Sequence, residues 1–138
     1  MKLFHIALAG FLSLAAFAGS AFSAAAADLL TIQLKDGPVV IQLMPEVAPK
    51  HVAQIEALAK KGAYDNVVFH RVIDGFMAQT GDVQYGNTTK GYDANKAGTG
   101  GSDLPNIPAE FSKVPFQRGT VGMARAQDPN SANSQFFI

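Results

Sequence analysis

From Leu29 to Lys35 apolar and polar residues alternate, with Leu30, Ile32 and Leu34 on one side and Thr31, Gln33 and Lys35 on the other. A period of two is the pattern of a strand with one buried face. Asp36-Gly37 is a hairpin turn signal, and after Pro38 the stretch Val39 to Met44 is a second apolar strand with Gln42 exposed. Together they predict a β-hairpin. Pro45 to Pro49 interrupts the pattern. Pro49 suits the first turn of a helix, where its missing N–H is not needed. Lys50 to Lys61 then sets Val52, Ile55, Leu58 and Ala59 at helical spacing, with Lys60-Lys61 at the negative end of the helix dipole and Gly62 to end it. This predicts an amphipathic helix covering one face or open end of a sheet, with His51 on its surface.

Val67 to Val72 is the next strand candidate and Phe76 to Gln79 a further short one, separated by Asp74-Gly75. Between Gly81 and Pro108 the periodicity dissolves into Gly, Asn, Thr, Asp and Pro, which predicts a long loop region. Loops of that length inside a small domain are usually functional. Phe111 is an isolated apolar point. Gly119 to Arg125 predicts a strand, Ala126 to Ser134 a polar loop, and Gln135 to Ile138 another strand. There is no internal repeat. Hairpin, helix, strands, long loop and strands in that order predict a mainly β, antiparallel domain with a helical cap, in the form of a closed or nearly closed barrel. Phe136-Phe137-Ile138 is a bare apolar strand with no turn or polar tail after it, so the domain is expected to continue past it.

The first residues change the reading of composition. Lys2 gives a short positive start, Leu3 to Phe22 is almost wholly apolar or small, and Ser23 to Ala27 is a run of small residues. That is the pattern of a secretory signal, residues 1–27, with Asp28 as the first mature residue and cleavage after Ala25 as a near alternative. A membrane anchor is the rival reading, and the cleavage-like run followed by polar chain favours removal, leaving no stable membrane anchor. The full chain of 138 residues has a formal net charge of zero, and removal of Lys2 leaves the mature part at −1. No basic patch points to nucleic acid. With no cysteine there is no disulfide framework or thiolate metal site, and three histidines make a transition-metal site an unfavoured reading. Residues 28–138 are the size of one domain.

Tyr64 to Asp82, YDNVVFHRVIDGFMAQTGD, is the stretch richest in chemistry. It holds a single arginine, Arg71, between apolar strand residues. A charged side chain there either reaches out to solvent or points into a site. Alternation places Phe69, Arg71 and Ile73 on one face and His70 and Val72 on the other. Phe76, Met77 and Gln79 follow the Gly75 turn, so a guanidinium, an aromatic ring, a thioether and an amide gather near one another.

FHRVIDGFMAQTGD resembles the cyclophilin signature, RGTVGMARAQDPNSANSQFFI is similar to the second conserved block of that family, and GTGGS matches a glycine turn between them. The resemblance runs from about Leu29 to Ile138. It implies an eight-stranded antiparallel barrel capped by two helices, and catalysis of rotation about X-Pro peptide bonds without any cofactor or metal. It implies Arg71 as the catalytic arginine. Phe76, Met77 and Phe137 would wall the pocket for the proline ring, and Gln79 and Gln135 would contact the peptide or orient Arg71. Ala124 and the backbone of Arg125 would pair with bound peptide, and Gly98 to Gly101 would border the neighbouring pocket. Proline-containing peptides and unfolded proteins are the implied partners, with cyclosporin-type ligands a further candidate. The expected state is a monomer and the expected location the periplasm. Thr80 and Arg125 depart from the Gly and Asn of many relatives, and the loop Val83 to Lys96 looks longer than in compact bacterial ones. The family continues past the FFI motif with its second helix and last strands, so the expectation is that this chain is incomplete at its C-terminus.

Taken singly, each of these residues has a plainer reading. Arg71 alone is more often a strand-surface arginine, and Phe76, Met77 and Phe137 alone are more often core. His70 lies on the face opposite Arg71 without a Ser or Cys partner and is expected to be structural. Gly98-Thr99-Gly100-Gly101 lacks the Lys-Ser/Thr and the strand-to-helix setting of a phosphate loop. Asn87-Thr88-Thr89 fits the glycosylation sequon but carries little weight in a bacterial-type protein. The competing functions are a proline-peptide binding module or holdase without turnover, and a purely structural β domain.

Overall fold

The structure, a computed structural model, describes residues 28–138. The expected signal segment, 1–27, lies outside the described residues. The described residues form six strands and one helix in the order β1 (Leu29–Leu34), β2 (Gly37–Gln42), α1 (Pro49–Lys60), β3 (Arg71–Ile73), β4 (Met77–Thr80), β5 (Gly122–Met123) and β6 (Phe136–Phe137).

The predicted hairpin is present. β1 and β2 pair antiparallel with Leu34 opposite Gly37, so Lys35-Asp36 form the turn. Leu30 faces Ile41 and Ile32 faces Val39, which puts the apolar set of both strands on one side. The predicted helix is present too, within one residue of its expected ends. Its start has no side-chain cap from Ala48. The carboxylate of Glu110, sixty residues on, takes that role by accepting the N–H groups of Lys50 and His51 at 3.0–3.1 Å. At the other end Gly62 N–H donates to Ala59 and Ala63 N–H to Leu58, satisfying carbonyls the helix leaves open.

One expectation on this helix is corrected. His51 is buried, not on the surface, and its Nδ1 meets Glu110 Oε2 at 2.5 Å. The apolar spacing of Val52, Ile55, Leu58 and Ala59 placed the buried stripe slightly off. Its buried members are His51, Ile55 and Leu58, because a remote carboxylate makes an imidazole acceptable inside.

β3, β4, β6 and β5 form an antiparallel four-stranded sheet in that spatial order, and β1–β2 form a separate two-stranded one. No closed barrel is formed among the described residues, so the expected eight-stranded closure is not seen, and α1 is the one helix described. The core lies between the two sheets and the helix. Ile41, Ile55 and Phe136 are buried together, with Leu30, Ile32, Leu43, Tyr64, Val121, Met123 and Ile138 packed around them. Tyr64 meets the Phe136 ring edge-on at 5.9 Å, and its hydroxyl donates to the Ser134 carbonyl. Burying each large aliphatic side chain here is worth about 1.5–3 kcal/mol.

The strand expected over Val67 to Val72 starts only at Arg71. The backbone before it is engaged elsewhere: Val68 N–H donates to Gly86 and its carbonyl accepts the Thr80 hydroxyl. The expected strand over Gly119 to Arg125 is reduced to Gly122–Met123, extended by the bond from Ala124 N–H to Gln135. The stretch from Gly81 to Pro108 carries no helix or strand, as its composition predicts.

Candidate functional site

The register of the four-stranded sheet assembles the site. Arg71 pairs with Gln79, Gln79 with Phe137, and Phe137 with Gly122, so these four residues form one row across all four strands. Paired residues of an antiparallel sheet project to the same face. Alternation carries Met77 onto that face of β4 and, beyond the strand ends, Gln135 and Ala124. The opposite face carries Ala78 and Phe136, the latter in the core. A charged residue can thus open β3 because that strand has a face outside the core.

Individual positions differ. The Arg71 side of β3 is exposed, while Met77 is buried at 8 % exposure. Phe76 is in the turn between β3 and β4 and is 72 % exposed, at the rim rather than in the row. Arg125 is exposed and its guanidinium donates to the Ala126 carbonyl. Gln79 donates its side-chain N–H to Gln135 Oε1 at 2.9 Å, and Gln135 donates to the carbonyls of Gly98 (3.1 Å) and Gly100 (2.7 Å). The sheet and the long loop are therefore joined at the site through a glutamine pair. Of the expected residues, Arg71, Gln79, Gln135, Phe137 and Gly98 form one connected group, Met77 and Ala124 share its face, and Phe76 and Arg125 stand at its margin.

Two members were not foreseen. Phe116 stacks on Phe137 with centroids 5.9 Å apart and planes inclined by 23°. Both rings cover Gly122, where an added Cβ would lie 2.6 Å from Phe116 and 2.7 Å from Phe137. The absence of a side chain at Gly122 is what lets the rings approach the sheet. Phe116 is in an irregular, polar-flanked stretch, so no period marks it.

The second unforeseen member is Asp82, which has no measurable exposure. Burial alone would raise its carboxyl, but N–H groups of Tyr85, Gly100, Gly98 and Gln84 outweigh that and hold it below the usual carboxylate range. The only sequence signal is a charged residue directly after Gly81, where the strand-like stretch gives way to the glycine-rich loop. His70 turns its ring to the same loop: a Cβ on Gly98 would lie 2.9 Å from it. Both ring nitrogens are buried without a hydrogen-bond partner. Burial pushes the His70 pKa down, partly opposed by the Asp82 charge and the neighbouring Gln135 side chain, so the ring favours its neutral form. Asn87 is buried and donates to the Asp65 carbonyl, so the side chain of the sequon is committed inside the fold. Among the described residues no cluster of His, Asp and Glu is placed to hold a metal, and no helix is long and apolar enough to cross a membrane.

Residues 29–138 match the family model described as cyclophilin type peptidyl-prolyl cis-trans isomerase/CLD. A protein of Brucella suis named probable peptidyl-prolyl cis-trans isomerase is 59 % identical, over all of this chain and 72 % of that one. Peptidyl-prolyl cis-trans isomerase B of Escherichia coli is 37 % identical over 80 % of this chain and 61 % of its own length. Among solved structures, a Cryptosporidium parvum cyclophilin type isomerase in the presence of the dipeptide Ala-Pro matches with a TM-score of 0.67 and 29 % identity, over 80 % of this chain and 66 % of that one. Cyclophilin AquaCyp293 of Hirschia baltica gives 0.60 and 28 %, over 80 % and 56 %.

Proposed function

The chain belongs to the cyclophilin-type peptidyl-prolyl cis-trans isomerases, an enzyme family, and from that premise we propose that it accelerates rotation of X-Pro peptide bonds with Arg71 as its catalytic residue. The observation that carries this reading is the row Arg71, Gln79, Phe137 across one sheet face, which sets a cation and an aromatic ring on that face with Gln79 between them.

The X-Pro bond resists rotation because resonance gives C–N partial double-bond character, with a barrier of about 18–20 kcal/mol. No bond breaks, so the enzyme has only to favour the twisted state. In that state the proline nitrogen becomes pyramidal and gains a lone pair. Arg71 donates a hydrogen bond to that lone pair or holds the proline carbonyl, and its planar fork offers several fixed donors where Lys has one mobile charge. Phe137, Met77 and Phe76 hold the ring while the preceding carbonyl swings. Gln79 and Gln135 bind the peptide and steady Arg71, Ala124 and Arg125 pair with its backbone, and Gly98 borders the next pocket. Shielding from water strengthens the Arg71 interaction, and each 1.36 kcal/mol of stabilisation confined to the twisted state gives about tenfold in rate.

In this reading residues 28–138 are the isomerase domain, and the two sheets are arcs of the family's eight-stranded barrel. The segment 1–27 is a cleaved signal, so the clients are exported proteins folding in the periplasm. What supports export is the Lys2 start, the apolar stretch and the small-residue run. The test is cis-to-trans isomerisation of a short X-Pro peptide with and without the protein, and with Arg71→Ala. Acceleration that disappears in a folded Arg71→Ala supports the reading. Peptide binding without acceleration replaces it with a binding module, and neither leaves a structural β domain.

A further inference from the structure

We propose that Asp82 is a positioning residue for the Arg71 site, acting through the glycine turn 98–100 and the Gln135–Gln79 pair; the proposal rests on the isomerase reading. The chain of contacts begins at a wholly buried carboxylate. Asp82 Oδ1 accepts from Gln84 N–H (3.1 Å) and Tyr85 N–H (2.8 Å), and Oδ2 from Gly98 N–H (2.7 Å) and Gly100 N–H (2.9 Å). No cation pairs with it among the described residues, so backbone dipoles alone hold the charge. Burying a carboxylate in this way is costly unless every lone pair is satisfied.

The arrangement fixes direction as well as place. With the N–H groups of Gly98 and Gly100 turned to Asp82, the carbonyls of the same two residues face Gln135 and take both contacts from its side-chain nitrogen. The Gln135 carboxamide therefore presents oxygen, not nitrogen, to Gln79. Gln79 must then donate, which leaves its own oxygen to accept on the sheet face it shares with its cross-strand partner Arg71. Gly98 adopts φ +97, and a Cβ on Gly100 would sit 2.5 Å from Asp82 Oδ1, so the turn admits this clamp only with glycine at both places. The chain of hydrogen bonds thus runs from Asp82 to Gln79, the residue paired with Arg71 across β3 and β4.

The experiment measures kcat/KM for an X-Pro peptide with the wild type, Asp82→Asn, Gln135→Ala and the double variant, with circular dichroism alongside. Asp82→Asn replaces one acceptor oxygen by a donor facing N–H groups. It is expected to lose about tenfold in kcat/KM while staying folded, and to cost less than about twofold once Gln135 is already alanine, as coupled residues do. Wild-type turnover in a folded Asp82→Asn, or the same loss in both backgrounds, overturns the proposal. Should Asp82→Asn fail to fold, Gly100→Ala takes its place in the cycle, pushing the turn off the carboxylate from outside, with the same two outcomes. If the wild type shows no turnover, the isomerase reading fails by itself. The clamp is then judged by exchange of the Gln135 side-chain amide protons. Protection in the wild type that is lost in Gly100→Ala supports it, and equal exchange in both overturns it.

Discussion

The sheet that carries Arg71 and the loop from Gly81 to Pro108 meet at the same site but are held by different physics. In the sheet, position follows from period. Arg71, Gln79 and Phe137 share a face because they are paired residues of antiparallel strands, and the core beneath is apolar burial. In the loop, position follows from single polar side chains. Asp82 gathers four N–H groups. Asn133 accepts from the Ser102 backbone and hydroxyl at 2.7 Å and donates to Leu104 and Asn106. Just beyond the loop, Glu110 caps a helix sixty residues away. A region without periodicity is not a region without structure; its order is bought with satisfied buried polar groups.

The first way to sharpen the contrast is to strike the sheet's chemistry and leave its architecture alone. Arg71→Lys keeps the charge on an exposed position but removes the planar fork. The expected result is a fall in kcat/KM of about a hundredfold, the scale of losing one preorganised donor, with unchanged circular dichroism and melting temperature. Near-wild-type turnover in the folded variant would remove Arg71 from its proposed role.

Striking Asn133, which holds the loop at Ser102 and Leu104, should do the reverse. Asn133→Ala removes the acceptor for two Ser102 donors and leaves the Leu104 carbonyl without its partner. Groups left unpaired in a partly buried setting cost about 2 kcal/mol, or a drop of about 10 °C in melting temperature for a domain of this size. An equal substitution on the hairpin surface, Val40→Thr at a 58 % exposed position, is expected to shift melting by no more than about 2 °C. Equal shifts in the two variants would show that the loop is held by something other than its polar side chains.

The same contrast explains what could be read in advance. The hairpin, α1 and β4 were legible because each carries its own period and punctuation, and the Arg71–Gln79–Phe137 group because ordered motifs name it. The true extent of β3 was not legible, since Val67 to Phe69 has strand composition but spends its backbone on Gly86 and Thr80. His51 was misplaced because its partner, Glu110, is remote in sequence. Asp82 and Phe116 have no period to betray them. Contacts between positions far apart along the chain, made by individual polar groups or a lone ring, leave no local trace.

His70 stands on the border between the two regions, and it gives the smallest of the expected effects. It precedes Arg71 in the chain, yet its ring lies against the loop at Gly98. Burial lowers its pKa in the folded protein, whereas the unfolded chain has a histidine near 6.5. As pH falls below about 6.5 the unfolded state takes up a proton that the folded state refuses, so stability declines until the lowered folded value is passed. Asp82 and Glu110 also have lowered values, but their stabilisation is lost only as pH drops below the ordinary carboxylate range of about 4. The two windows separate the border from the loop interior. Urea midpoints compared at about pH 7 and about pH 5.5 should therefore show a modest decline in the wild type and a flat response in His70→Phe, which keeps a ring against Gly98 and removes the unpartnered nitrogens. A decline of the same size in His70→Phe would place the acid sensitivity on other groups and free His70 from any part in joining sheet to loop.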